Sequence, residues 1–216
     1  MWRNGGRPFC KNINVLEATE LECERGGRTL FRGLSFALAP GELLRVNGPN
    51  GSGKTSLLRI LCGLLTPTGG EVRWNGAPIG TLREDYSQRL VYLGHAPAVK
   101  DDLSPAENLD IACRLAGKQA HKEALTWALN AFAVPDLPVR RLSQGQRRRA
   151  ALARLLLSEL VPLWLLDEPF AALDKAASSY TEELLARHLK AGGSVVYTTH
   201  QPSVLDDAAQ VVDLAH

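Results

Sequence analysis

The chain has 216 residues, of which 45% are hydrophobic and 22% charged, and its formal net charge at neutral pH is +2. This composition is typical of a globular protein with one domain or two small ones, and so small a net charge points to no particular polyanionic partner. The four cysteines are scattered without a C-x-x-C pair, which disfavours a zinc or redox motif, and the absence of an apolar run of about 18 residues predicts no transmembrane helix.

The N-terminal part predicts a loose leader followed by short strands. Residues 1–12 lack the apolar core of a signal peptide, so we expect a loose leader there and a single domain over residues 13–216. Within 13–46 the pattern predicts strands separated by turns at Glu24–Arg28 and Ala39–Gly41.

A glycine-rich octapeptide then follows the apolar run Leu43–Val46 and precedes a helical one. Its residues are Gly48, Pro49, Asn50, Gly51, Ser52, Gly53, Lys54 and Thr55. They fit G-x-x-x-x-G-K-[ST], a loop whose backbone N–H groups and following helix attract a triphosphate. We expect Lys54 to contact the β- and γ-phosphates and the Thr55 hydroxyl to ligate Mg²⁺. An ordinary glycine-rich turn would not match every fixed position of the motif and also lie between a strand and a helix.

The middle of the chain changes from strands to helices. Strand patterns cover 71–74 and 90–93, with a tight-turn signal, Asn-Gly, after the first. A capping box opens a helix predicted over Ser104–Leu115, and a second helical stretch covers about 119–132. We therefore expect residues 96–160 to form a helical subdomain.

A second candidate anion site lies at the start of another helix. Ser143 is a plausible N-cap there, followed by Gly145, and the helix N-terminus offers N–H groups and a positive dipole. Three arginines, 147–149, come next and span less than one turn, which favours a solvated or salt-bridged face over a nucleic-acid surface.

The last third alternates strands and helices, with a helix predicted over Lys175–Lys190, ended by two glycines, and a short helix near 203–208. This alternation predicts an α/β core with parallel strands. Asp167 and Glu168 follow the apolar strand 163–166, where Asp167 can hold Mg²⁺ and Glu168 can orient the attacking water or accept its proton. His200 follows the strand 194–198 and either contacts the γ-phosphate or is an ordinary loop histidine. Ligands in such sheets bind beyond the carboxyl ends of the strands, where all these segments are expected to meet.

Over about residues 14–214 the chain resembles the ATP-binding subunits of ABC transporters. Five motifs stand in that family's order: Walker A (Gly48–Thr55), the LSGGQ signature (Leu142–Gln146, with Gln144 for its first glycine), Walker B (Leu163–Glu168), the D-loop (Ala171–Asp174) and the switch histidine (His200). The resemblance implies an α/β P-loop ATPase cassette with a mostly parallel core sheet, an antiparallel β-subdomain and a helical subdomain. It also implies that two copies pair head to tail on ATP binding, so that Ser143 and Gly145 face the γ-phosphate of the partner's nucleotide.

Two departures from the family's usual pattern point to one branch of that family. His95 stands where the family usually carries the Q-loop glutamine, and Arg25 stands where an aromatic ring usually stacks on adenine. Both are candidate nucleotide contacts. The segments 21–25, 29–36 and 199–202, together with Gly94-His95, resemble the sequences of the branch that serves the bacterial cytochrome c biogenesis (haem exporter) complex.

That branch implies a peripheral ATPase, using ATP and Mg²⁺, at the cytoplasmic face of the inner membrane. It would work with separate integral membrane subunits, touching the membrane only through them, and would drive haem export or release of a haem-loaded chaperone. The pair Asp101-Asp102 is expected to lie near that membrane partner. The alternatives are an ATPase for another cargo and a soluble ABC ATPase acting on DNA or ribosomes, although one P-loop without a long heptad run disfavours the latter. A P-loop kinase is disfavoured by the signature helix.

Overall fold

The computed structural model describes residues 14–200 and 203–214, and within these ranges the chain forms nine strands and six α-helices. The leader predicted for 1–12 lies outside the described residues. The strands are β1 (Leu16–Arg25), β2 (Arg28–Leu38), β3 (Leu43–Asn47), β4 (Gly69–Trp74), β5 (Ala77–Pro78), β6 (Leu90–Leu93), β7 (Leu163–Asp167), β8 (Ser194–Thr198) and β9 (Gln210–Asp213). The helices are α1 (Lys54–Leu61), α2 (Ile79–Ser87), α3 (Pro105–Leu115), α4 (Lys122–Ala131), α5 (Gln144–Leu156) and α6 (Lys175–Lys190).

An antiparallel sheet has the strand order β2-β1-β4-β5. Its two tight turns use the residues that the sequence offers for them. Gly26 and Gly27, between β1 and β2, have φ of 57° and 73°, and Asn75 and Gly76, between β4 and β5, have φ of 52° and 78°. Two successive positive φ angles match the right-handed twist of the flanking strands, which is why glycine and asparagine are favoured here.

The second sheet is parallel, with the order β6-β7-β8-β3-β9. Every residue of β7 and β8 is buried, as expected for strands covered on both faces. Trp164 and Leu166 contact a core that includes side chains of α3 to α6, whereas Leu163 and Leu165 contact a core that includes α1 and the antiparallel sheet. The predicted α/β architecture is confirmed.

Helix ends follow the capping residues. Ser104 accepts a hydrogen bond from the backbone of Glu107 and completes the capping box that opens α3. The second predicted helix is shorter than expected, because His121 is extended and α4 begins only after it. The helix expected near 203–208 is a 3₁₀ turn, Asp206–Ala208. Helix α2 was not predicted, since it buries only Tyr86 among its residues and is broken by a non-helical conformation at its fifth residue.

The strand order decides where the site forms. Because β3, β8 and β7 are neighbours, the phosphate loop after β3 lies beside the ends of the other two strands. Thr198 is registered with Val46 on one side and with Asp167 on the other. Across residues 14–200 and 203–214, none of the helices combines the length and apolarity needed to cross a lipid bilayer.

Candidate nucleotide site

The phosphate loop leaves β3 and enters α1 through left-handed backbone. Gly48, Gly51 and Gly53 have φ of 143°, 81° and 103°, conformations that residues with a Cβ rarely adopt. A Cβ on Gly48 would lie 2.5 Å from Ser52 Oγ, and one on Gly53 would lie 3.0 Å from Leu30 Cβ. Close packing therefore favours glycine at these two positions in addition to the backbone conformation.

The ammonium of Lys54 lies against the carbonyls of its own loop. It is 8% exposed, and its Nζ donates to the carbonyls of Gly48 at 2.7 Å and Pro49 at 3.1 Å. An ammonium has three N–H donors, so one remains for a phosphate oxygen. The Ser52 hydroxyl is buried and has no hydrogen-bond partner among the described residues. The loop thus holds a positive charge in place while keeping donors for an anion.

The loop opens on a cleft of about 500 Å³, which suits a ligand of nucleotide size. Its lining residues come from the segments that follow β3, β6, β7 and β8, from the last residue of β7 and from β2. These are Leu30, Asn50, Gly51, Gly53, Lys54, Thr55, Ser56, His95, Asp167, Glu168, Ala171 and His200. The structure therefore brings together the phosphate loop, the acidic pair after β7 and both histidines that sequence reasoning selected.

A chain of hydrogen bonds links α1 to the ends of β7 and β8. The Thr55 hydroxyl donates to Asp167 Oδ2 at 2.7 Å, and the Thr198 hydroxyl donates to Asp167 Oδ1 at 2.8 Å. The backbone N–H of Glu168 in turn donates to Thr198 Oγ1 at 2.9 Å. Because both oxygens of Asp167 accept a bond and its side chain is 2% exposed, its position is fixed.

Glu168 has a carboxylate oxygen free for a reaction. Its φ of 52° is uncommon for a residue other than glycine, and such conformations cluster at functional sites. Its Oε1 is buried and accepts no hydrogen bond from the described residues, yet it lies 3.4 Å from Nε2 of His200. That distance allows an ion pair when the imidazole is protonated. The side chain of Glu168 is 15% exposed and that of His200 50%.

The oxygen atoms of the cleft fit a Mg²⁺ ion. Thr55 and Asp167 present a hydroxyl and a carboxylate oxygen within 2.7 Å of each other at the cleft. In the described part of the chain no group of three or more His, Cys, Asp or Glu side chains is arranged to hold a metal by itself. Mg²⁺ is commonly bound by one or two carboxylates together with substrate phosphates and water. This donor set therefore suits an ion that arrives with a nucleotide.

The signature segment lies outside this cleft. Ser143 caps α5 as predicted: its Oγ accepts from the Gln146 N–H at 3.2 Å, and Gln146 Oε1 accepts from the Ser143 N–H at 2.9 Å. A Cβ on Gly145 would lie 2.5 Å from the carbonyl oxygen of Ala172, so the start of α5 packs directly on the D-loop. Ser143 and Gly145 are absent from the lining of the cleft, and their contact with a nucleotide stays a prediction.

The prediction for the three arginines near the start of α5 is correct for two of them and wrong for the third. A solvated or salt-bridged face is correct for Arg147, which pairs with Asp101 at 2.8 Å, and for Arg149, which lies 3.8 Å from Asp174. It is wrong for Arg148, which is 3% exposed.

The guanidinium of Arg148 joins the Q-loop to the end of β7. It donates to the carbonyls of Gly94 at 2.8 Å and His95 at 3.3 Å, and to those of Asp167 at 2.5 Å and Glu168 at 2.6 Å. Burial lowers the pKa of Arg148, and the charges of Asp167 and Glu168 oppose that shift. The helical period held a signal for this, because Leu152 and Leu155, four and seven residues later, are buried on the same face.

The two departures from the family pattern lie in different places. His95 lines the cleft together with Glu168 and His200. Arg25 is exposed at the end of β1, beside the hairpin turn, and is not among the residues lining the cleft. Its contact with adenine stays a prediction.

The Asp101-Asp102 pair is engaged within the chain. Asp101 pairs with Arg147, and Asp102 lies 3.3 Å from Arg140. Both carboxylates remain more than half exposed, at 59% and 89% of the side chain, so their expected place near a partner is not tested by these contacts.

Known proteins are similar to this chain in sequence and in fold. The profile of the family described as ABC transporter matches residues 31–171. The chain is 52% identical over 208 residues to the cytochrome c biogenesis ATP-binding export protein CcmA of Aromatoleum aromaticum, covering 95% of this chain and 97% of that protein. The protein of the same name from Nitrosomonas europaea is 51% identical over 196 residues, covering 89% and 92%.

Solved structures agree on the architecture. An ATP-binding subunit of an ABC transporter superposes with a TM-score of 0.80 at 24% identity, covering 92% of this chain and 85% of that one. A bacterial ABC transporter cassette solved as a dimer gives a TM-score of 0.80 at 22% identity, covering 93% and 94%. The chain therefore belongs to the ABC transporter family and, within it, to the family of cytochrome c biogenesis ATP-binding export proteins.

Proposed function

We propose that this chain is the ATP-hydrolysing subunit that energises a membrane ABC complex in c-type cytochrome biogenesis. The observation that carries the proposal is the hydrogen-bonded chain Thr55–Asp167–Thr198–Glu168, which places a free carboxylate oxygen beside the phosphate loop. The names of relatives about half identical to this chain support the choice of process.

Each residue of the cleft has a role that follows from its contacts. The backbone N–H groups of the octapeptide, which every residue except Pro49 supplies, surround the phosphates. The ammonium of Lys54 donates its remaining N–H to them and neutralises part of their charge. Thr55 and Asp167 would hold Mg²⁺, which when bound neutralises charge on the β- and γ-phosphates. The direct bond from Thr55 to Asp167 keeps these two oxygens together before the nucleotide arrives.

Glu168 is the general base for the attacking water. Its Oε1 is held in a buried position without a competing hydrogen bond, so it is available to accept a proton. His200, with Nε2 at 3.4 Å from that oxygen, contacts the γ-phosphate beside the carboxylate. His95 completes the lining on the Q-loop side, where Arg148 holds its backbone.

The second half of the site comes from a second copy of the chain. Within one copy, Ser143 and Gly145 stay outside the cleft although α5 presents a capped, basic N-terminus. A head-to-tail homodimer formed on ATP binding would set that N-terminus against the partner's γ-phosphate. Arg25 would lie near the adenine.

The partners of this dimer are separate integral membrane subunits, with the ATPase bound at the cytoplasmic face of the inner membrane. The process is haem export or release of a haem-loaded chaperone. A transporter of another cargo would use the same cleft, so the membrane subunits that co-purify with the chain decide between these cargoes.

Replacing Glu168 by Gln tests the proposal. The amide keeps the shape of the side chain but cannot take the proton, so ATP turnover should fall by about 10²- to 10⁴-fold while ATP binding is retained. Because hydrolysis no longer separates the two copies, the variant with ATP and Mg²⁺ should also run as a dimer in light scattering. Glu159→Gln, in an exposed pair with Arg187, is the matched control. Near-normal turnover in Glu168→Gln would refute the role of this residue.

A further inference from the structure

The chain is held by hydrogen bonds on both sides of His200. Upstream, Thr198 is fixed by its bonds to Asp167 and Glu168. The side chain of His200 itself is half exposed, so packing alone leaves it free to move. Its distance from Glu168 therefore depends on what holds the chain before it and from Ser203 onward.

Asp206 is the downstream anchor. Its Oδ1 accepts from the phenolic hydroxyl of Tyr197 on β8 at 2.5 Å, and its Oδ2 accepts from the Ser203 N–H at 3.0 Å. The guanidinium Nη1 of Arg45 on β3 donates to the same Oδ2. The side chains of Arg45 and Asp206 are only 21% and 20% exposed, so solvent screens this ion pair less than a surface pair.

The charge of Asp206 is kept by these donors. Burial raises the pKa of the carboxyl, but the bonds from Tyr197 and Ser203 and the charge of Arg45 outweigh it and leave the pKa lowered. Ser203 is fixed in turn, since its hydroxyl donates to Glu182 Oε1 on α6 at 2.7 Å. The segment is thus joined to β3, β8 and α6 at one point.

This point is close enough to His200 along the chain to control it. His200 is three residues before Ser203, and three residues span at most about 11 Å when fully extended, so fixing Ser203 limits how far His200 can move from it. Arg45 is two residues before Asn47, the end of β3, and the phosphate loop follows directly. The anchor therefore ties the His200 segment to the strand that carries the phosphate loop.

We propose that Asp206, held by Arg45 and Tyr197, is a positioning residue that sets His200 against Glu168 and the γ-phosphate. This inference rests on the role proposed above for His200. Asp206 affects turnover rather than nucleotide binding, because Lys54 and Thr55 are held by the Gly48 carbonyl and Asp167 and not by Asp206.

A double-mutant cycle of Asp206→Asn with His200→Ala tests it. Asp206→Asn keeps the size of the side chain but removes the charge that Arg45 and Tyr197 recognise. We expect kcat to fall about 10-fold, as for a misplaced reacting group, with KM for ATP changed less than about 2-fold. In the His200→Ala background the same substitution should change kcat less than about 2-fold, because nothing is left to position.

The controls separate this inference from the proposed function. Glu159→Gln should leave both kinetic constants unchanged, since it only weakens a pair whose side chains are more than half exposed. If Asp206→Asn does not fold, Tyr197→Phe, which loses one hydroxyl, takes its place in the cycle. Equal losses of kcat in both backgrounds, or a rise in KM without a fall in kcat, would overturn the positioning role alone. A normal kcat in His200→Ala would overturn the role of His200 and this inference with it.

Discussion

The buried guanidinium of Arg148 makes the strongest prediction about stability. It donates to four backbone carbonyls from two segments, the Q-loop and the end of β7, and is 3% exposed. In Arg148→Met the side chain stays unbranched and fills the space of the aliphatic part of arginine, but the four acceptors lose their donor. A buried acceptor left without a partner costs about 1–3 kcal/mol, and three of the four bonds are only partly buried, so we expect a loss of about 3–5 kcal/mol in unfolding free energy.

Urea unfolding followed by circular dichroism measures this loss. Arg187→Met is the matched control, because Arg187 pairs with Glu159 at 3.3 Å where both side chains are more than half exposed, and it should cost less than about 1 kcal/mol. Arg148→Lys keeps the charge but not the planar fork, so it should recover only part of the loss. Equal losses in Arg148→Met and Arg187→Met would refute the reasoning from burial.

Two further predictions concern a buried histidine and the signature glycine. Burial lowers the pKa of His188 from 6.5 to about 4, so between those pH values only the unfolded chain binds the proton. The unfolding free energy is therefore highest above pH 6.5 and falls by about 3 kcal/mol as the pH drops to 4. His188→Gln should flatten this dependence in urea unfolding at several pH values, and an unchanged slope would contradict the assignment. Gly145→Ala places a Cβ 2.5 Å from the carbonyl oxygen of Ala172 and should cost about 1–3 kcal/mol. Gly80→Ala, also the second residue of a helix but with open space around the Cβ, should be neutral or slightly stabilising, and equal thermal stability of the two variants would disprove the contact.

Local signals in the sequence were sufficient to predict the limits of several elements. The limits of α3 and α6 and of β8 agree with the prediction, because capping residues and glycines mark their ends. The short helix α2 was missed, since it has neither an apolar period nor a cap that bonds its backbone. Such an element forms because its neighbours cover it, and that cover is not a property of its own residues.

The sequence by itself determined the phosphate loop, the acidic pair Asp167-Glu168 and the α/β class, because each depends on residues adjacent in the chain. The tertiary structure alone decided which strands are neighbours, and so placed Thr198 between Val46 and Asp167. It also decided that Arg148 is buried among backbone carbonyls while the arginines on either side of it are only partly buried and pair with carboxylates. A charge is buried only where distant segments supply its acceptors, and those segments meet only in the folded chain.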